Sequence, residues 1–315
     1  MSKFTVNTVS LGAVGIASYF WGLSGSKEKL DTKKPNLPAP TPTSPLPANV
    51  GINPEGFYKY GFPGPIHDLQ NRQEFISCYD RSKRNPYWVV EHITKESIKS
   101  NGVVDRKKSI FKEDEAIPFK FRNKLRDFFR SGYDRGHQAP AADAKFNQDA
   151  MNETFYLTNI SPQVGDGFNR DYWAHFEDFG RRLTGKYDNV RIMTGPLYLP
   201  KKCSDGKFRV EYEVIGSPPT VAVPTHFFKL VIGENNNSDT IDVGAFVLPN
   251  EIIENSSPLT TFQVPVEALE NSSGLELLHK VAPHKKRDLC KYNRCEIIVR
   301  EFPKNVNKIL TLDSK

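Results

Sequence analysis

The run Arg130-Ser-Gly-Tyr-Asp134-Arg135-Gly136-His137-Gln-Ala-Pro-Ala-Ala-Asp143 sets an acid, a guanidinium, a glycine and an imidazole in consecutive positions. A glycine at 136 permits a tight backbone turn, so Arg135 and His137 can aim at one small anion, and a phosphate fits a guanidinium fork beside an imidazole. A lone His in a surface turn is usually incidental. Four polar functional types in a row, between a basic stretch and an Ala/Pro turn, argue otherwise. Further on, Tyr156-Leu-Thr-Asn159-Ile-Ser-Pro-Gln163 precedes Gly167-Phe-Asn169-Arg170-Asp-Tyr-Trp173-Ala-His-Phe-Glu177-Asp-Phe-Gly-Arg181-Arg182. If 170–183 is helical, Trp173, Glu177 and Arg181 share a face at four-residue intervals and Asn169 sits at the N-cap end. Taken singly, Asn169 reads as a cap, and Glu177 with Arg181 as a surface ion pair.

These residues need a scaffold, and the rest of the chain predicts a mixed one. Strand-like runs lie at Tyr87–Ile93, Thr154–Ile160, Val190–Thr194, Phe208–Ile215, Val221–Ile232, Ile241–Leu248 and Glu296–Glu301. Helical patterns cover Pro118–Phe129, Asn147–Glu153, Arg170–Leu183 and Ser273–Val281. The strands are too closely spaced for regular βαβ crossovers, so the expected class is α+β with a mixed, mainly antiparallel sheet. No internal repeat is present.

Taken together, the segments resemble the DNA/RNA non-specific endonuclease family, whose signature is Asp-Arg-Gly-His followed by an Asn and, eight residues on, a Glu. Here these are Asp134-Arg135-Gly136-His137, Asn169 and Glu177. The wording around the motif is similar to that of mitochondrial members, as are Gly61-Phe-Pro-Gly-Pro-Ile-His, Thr194-Gly-Pro-Leu-Tyr, Val223-Pro-Thr-His-Phe-Phe-Lys and Ala245-Phe-Val-Leu-Pro-Asn, so the resemblance spans residues 56–302. It implies a ββα-metal (His-Me finger) core and a sugar-non-specific nuclease that leaves 5′-phosphate and 3′-hydroxyl ends.

The residue types suit that chemistry. Phosphodiester hydrolysis needs an activated water, a cation on phosphate oxygens and stabilisation of developing charge. His137 would be the general base, since an imidazole titrates near working pH. Asn169 would be the protein ligand of one Mg²⁺, with Mn²⁺ as a substitute, because a hard ion takes an amide oxygen and completes its shell with water and phosphate. Glu177 would orient water on the ion, Arg135 would contact the scissile phosphate, and Arg181 is a weaker candidate for the same contact. Asp134 and Asn159 are supporting residues. The basic groups Arg106, Lys107, Lys108, Lys120, Arg122, Lys124, Arg126 and Arg130 would track the backbone of DNA or RNA without reading sequence. The resemblance also implies a homodimer. A non-catalytic, nuclease-derived binding or inhibitory module is the rival reading. His137, Asn169 and Glu177 argue against it, because a binder uses neither a base nor a metal ligand.

Composition sets the outer bounds. The chain has 315 residues, 43 Lys+Arg against 37 Asp+Glu and 38% hydrophobic residues, enough for a substantial core. Of the net +6, residues 1–53 carry half, so bulk charge alone does not mark the remainder as a nucleic-acid binder. Residues 1–26 lack Asp and Glu and hold the apolar run Leu11–Leu23. They read as a mitochondrial import leader, with residues 4–26 near the length of a single membrane anchor, placing the protein at the inner membrane or intermembrane space. A secretory signal, and hence a secreted nuclease, is the rival; a plain core helix is the third reading. Residues 27–55, with six prolines between Pro35 and Pro47, form a Pro-rich linker, and 56–315 the nuclease domain. Four cysteines are too few for a disulfide framework. Cys290 and Cys295 read either as a local disulfide or as two unrelated thiols.

Overall fold

β-branched and aromatic residues concentrate in three runs of the second half of the chain, and these become its longest neighbouring strands. The computed structural model describes residues 54–57, 59–61, 68–100 and 102–300. The leader, most of the linker and Glu301 lie outside these residues. The strands are β1 (Asp68–Asn71), β2 (Phe75–Asp80), β3 (Asn85–Ile93), β4 (Asp134–His137), β5 (Ile160–Gln163), β6 (Asn189–Leu197), β7 (Lys201–Lys202), β8 (Phe208–Arg209), β9 (Val214–Ile215), β10 (Val221–Ala222), β11 (His226–Glu234), β12 (Ile241–Pro249), β13 (Gln263–Val264) and β14 (Lys286–Asp288). Eight form one sheet in the order β1-β2-β3-β6-β11-β12-β13, antiparallel throughout, with β14 added parallel to β12.

Both faces of this sheet are covered, so its central strands read as continuous apolar runs and not as alternation. On β11, Phe228, Leu230 and Ile232 join one core with Trp88, Val90, Met193 and the C-terminal leucines Leu269, Leu275 and Leu277. Phe227 and Val231 face the other way, onto Tyr172, Trp173, Phe176, Phe179 and Leu183 of the helix Tyr172–Leu183. Those five side chains make one stripe at three- and four-residue spacing, each contributing about 1.5–3 kcal/mol on burial. The Trp173 and Phe227 ring centroids are 5.6 Å apart, and those of Phe176 and Phe246 5.2 Å.

Two strands stand apart. β4 and β5 pair antiparallel as a ribbon, with Asp134 opposite Gln163 and His137 opposite Ile160. Ribbon and helix together form a ββα unit, with the helix docked against the large sheet, and the class is α+β as expected. The details differ from the sequence reading in several places. Residues 118–129 form two short 3₁₀ turns, Phe119–Phe121 and Leu125–Phe128, in place of a helix. Thr154–Ile160 is mostly a turn, with Leu157–Asn159 in 3₁₀ conformation. Phe208–Ile215 breaks into two short pieces, β8 exposed and β9 with Ile215 buried, and Val221–Ile232 into β10 and most of β11. The helix in this region is Val266–Ser273, ending where Gly274 turns left-handed at φ 70°, so the helix expected over Ser273–Val281 does not form. Residues 296–300 form no strand. Cys290 and Cys295 are disulfide-bonded, while Cys78 and Cys203 take part in no disulfide.

Candidate nuclease site

The ribbon brings His137 and its neighbours together by a close approach of strands. Gly136 lies in β4 with no turn at its position, correcting the sequence expectation: a Cβ there would fall inside the buried Gln163 side chain of the facing strand. His137 follows it, 9% exposed, its ring edge-on to Phe155 at 4.8 Å and tilted against Phe111 at 5.4 Å. Its Nε2 is buried and has no hydrogen-bond partner in the protein. Burial, and then the nearby Arg106 charge, lower its pKa to about 3. The pKa near neutrality expected from the residue type is therefore not what this apolar cradle produces, and the imidazole stays neutral across the cellular pH range.

Asn159, fully buried, brackets the chain just after His137. Its Oδ1 accepts from Ala139 N at 2.9 Å, and its Nδ2 donates to the carbonyls of Ala139 (2.9 Å) and Thr154 (2.8 Å). Its side chain thus stabilises the turn after His137 and has both amide hydrogens engaged.

Asn169 ends the π-turn Gly165–Asn169, where Gly167 has φ 79° and presses against Ile252, a conformation that favours glycine. The helix cap position belongs to Asp171, so Asn169 is not the N-cap that its spacing suggested. Its Nδ2 donates to Asp134 Oδ2 at 2.9 Å, and Asp134 also accepts from Arg170 Nε (2.8 Å) and Nη2 (2.5 Å). A carboxylate only accepts, so the amide nitrogen must face it and the Asn169 Oδ1 faces away. A part-exposed amide oxygen turned from its anchor suits a hard cation that retains most of its water. Among the described residues no group of three or more His, Cys, Asp or Glu side chains is placed to hold a metal ion.

Glu177 lies two turns along the helix, half-buried. Burial raises its pKa to about 7; Lys229, Arg181 and Arg106 pull it down and Asp143 pushes it up. It makes no ion pair with Arg181, whose Nη1 bonds Asp143 Oδ1 at 2.8 Å. Arg135 reaches Leu125 O with Nη2 at 3.4 Å and lies over Phe111 at 5.3 Å, and partial burial lowers its pKa. Sequence reasoning missed Lys229, which is 2% exposed, donates to Thr194 Oγ1 at 2.8 Å and sits 4.7 Å over the Trp173 ring. It also missed the buried Glu74 and Glu91, whose pKa values are raised well above the usual carboxyl range, first by burial and then by the Asp143 charge at Glu74 and by Glu74 and Asp143 at Glu91. A lysine inside an otherwise apolar β11 was the one signal available.

Comparison with known proteins decides the family. Residues 53–284 match the DNA/RNA non-specific endonuclease family. The chain belongs to that family, and is of the endonuclease G type. It is 60% identical over 301 residues to a mitochondrial nuclease of Saccharomyces cerevisiae, covering 93% of this chain and 91% of the relative. It is 42% identical over 217 residues to human mitochondrial endonuclease G, covering 69% of this chain and 71% of the relative. A solved complex of endonuclease G with the inhibitor EndoGI superposes with a TM-score of 0.71 at 47% identity, covering 74% of this chain and 94% of that one. This endonuclease is therefore a hydrolase acting on phosphodiester bonds, on a ββα-metal scaffold.

Proposed function

We propose that the protein is a Mg²⁺-dependent, sugar-non-specific endonuclease that hydrolyses DNA and RNA to 5′-phosphate and 3′-hydroxyl ends. The observation that carries this reading is the ribbon-to-turn geometry: a neutral His137 with an unpartnered Nε2 in β4, and an Asn169 amide whose oxygen is freed by Asp134 of the same strand. Asn169 would hold a divalent ion there, which when bound would supply positive charge to the phosphate oxygens and the leaving oxygen. His137 takes a proton from water as the water oxygen bonds to phosphorus, and the P–O3′ bond breaks with its electron pair on O3′, which takes up a proton. The anionic substrate beside the ring raises its proton affinity at that moment. Glu177, ionised, orients water, and Arg135 stabilises the phosphate. Arg181 acts from behind, through Asp143 and its field on Glu177, and Asn159 keeps the base in place.

The mitochondrial relatives and the acid-free start support import by residues 1–26, with residues 4–26 as a membrane contact. Among the described residues no helix is long and apolar enough to cross a membrane. The active form is a homodimer. Supercoiled plasmid digestion with and without Mg²⁺, beside His137→Ala and Asn169→Ala, tests the central reading. Loss of about two to four decades in rate is expected for His137→Ala. Near-normal turnover by that variant, or cleavage indifferent to Mg²⁺, would overturn it.

A further inference from the structure

The segment that leads into the ribbon carries two of its aromatic rings on the outside. Phe119 is 66% exposed and Phe129 70%, while Phe128 between them turns into the small core beneath the ribbon with Leu157 and Ile160. Each outward ring has a cation against it. Lys124 Nζ lies 3.8 Å from the Phe119 centroid, and Arg130 Cζ lies 5.1 Å from that of Phe129. The backbone beneath is fixed: Arg84 donates to the carbonyls of Lys120 (2.8 Å) and Arg122 (3.0 Å), and the buried Asp127 accepts from Lys124 N at 2.8 Å. The segment's lone acid is thus inside, while Lys120, Arg126 and Arg130 are exposed. The platform adjoins the reaction centre, since Leu125 O accepts from Arg135 and the Phe128 ring lies 5.9 Å from its guanidinium.

Single exposed apolar residues are ordinary on protein surfaces. Two phenyl rings on a braced, basic strip beside a phosphate-binding arginine match the arrangement by which proteins hold unpaired nucleic acid, with cations on the backbone and rings on the base faces. In a duplex those faces are already stacked on one another, so a ring gains contact only with bases that are unpaired. We propose that Phe119 and Phe129 are base-stacking platforms that make unpaired strands the favoured substrate form of this nuclease. The proposal rests on the nuclease reading above and specifies the substrate form for that site.

The test compares kcat/KM on a single-stranded oligodeoxynucleotide lacking self-complementarity with that on a closed hairpin duplex, for wild type, Phe119→Ala, Phe129→Ala, Phe129→Leu and Phe129→Trp. The single-strand to duplex ratio should fall about tenfold for each Ala variant and for Leu, which keeps apolar volume without a π face, and stay near wild type for Trp. Val299→Ala, a comparably exposed apolar change elsewhere, should leave the ratio unchanged. Fluorescence anisotropy in the His137→Ala background reads binding without turnover. There, adding Phe129→Ala should weaken the same oligonucleotide about tenfold. An unchanged ratio, an equal loss on both substrates, or unaltered anisotropy would overturn the proposal. If the wild type cleaves neither substrate, the nuclease reading fails, and the binding arm still decides the platform.

Discussion

Asp134 touches no reacting atom in the proposed site, yet replacing it by Asn should change how the enzyme uses its metal. In the native protein, reversing the Asn169 amide would set its oxygen against the Asp134 carboxylate and strand a donor, a cost of about 1–3 kcal/mol that keeps the amide oxygen turned outward. An amide at 134 can both accept and donate, so the two orientations of Asn169 become comparable, and a negative charge next to the ion site disappears. Loss of such an orienting partner typically costs about 10–100-fold in metal affinity. Stability should hardly respond, because the Arg170 side chain is 57% exposed and a solvent-screened pair of this kind contributes about 0–1 kcal/mol. The assay is initial nicking of supercoiled plasmid across a Mg²⁺ titration, with a urea melt alongside. The Mg²⁺ concentration for half-maximal rate should rise about 10–100-fold and the rate at saturation recover to within a few-fold of wild type. An unchanged Mg²⁺ requirement with a depressed plateau would show that Asp134 does not act through Asn169. A stability loss well beyond 1 kcal/mol would show instead that it holds the fold.

Gly136→Ala should displace the Gln163 side chain and destabilise the ribbon by about 1–3 kcal/mol, visible as a lowered melting temperature; an unchanged melt would mean the strands separate at no cost. Asn159→Ala leaves two carbonyls and one amide N–H without partners, so a urea melt should show a loss of about 3 kcal/mol or more, and a change under 1 kcal/mol would contradict the bracket. The acid limb of kcat/KM should fall about tenfold per pH unit below pH 7, where Glu177 takes up its proton and stops accepting hydrogen bonds, whereas His137 stays neutral there. Glu177→Gln should start low and flatten that limb, and a limb that survives the substitution would assign it to another group.

Legibility in the sequence followed how far each segment's local pattern agrees with its final burial. Val190–Thr194 and Ile241–Leu248 are long, apolar and buried on both faces, and they fold as read. The helix expected over 170–183 forms over Tyr172–Leu183, starting two residues late because Arg170 and Asp171 lie between it and the π-turn that ends at Asn169. β1, with the sequence Asp-Leu-Gln-Asn, has no apolar alternation and becomes a strand only because β2 offers it an edge. β4 was invisible for a related reason: four functional polar residues do not look like a strand, and their pairing partner, Ile160–Gln163, contains a proline. At 118–129 the alternating basic pattern resembled a helix face, but Pro118 at one end and a 3₁₀ pair closed by Asp127 keep it in short turns. The site residues themselves were legible by type and spacing. What they face was not, because Arg106, Asp143 and Lys229 reach the site from different parts of the chain.

The groups proposed to act at the scissile bond, Arg135, His137, Asn169 and Glu177, lie within one short stretch of sequence, whereas the strands that hold the site helix against the sheet, β11 and β12, follow it in the chain. During translation the reactive side chains therefore emerge from the ribosome before the wall that orders them has been synthesised. An unfinished chain carries His137 and Asn169 but has neither Phe227 nor Phe246 to seat Trp173 and Phe176. On the proposed mechanism, the cutting site can be ordered only once these later strands have been made.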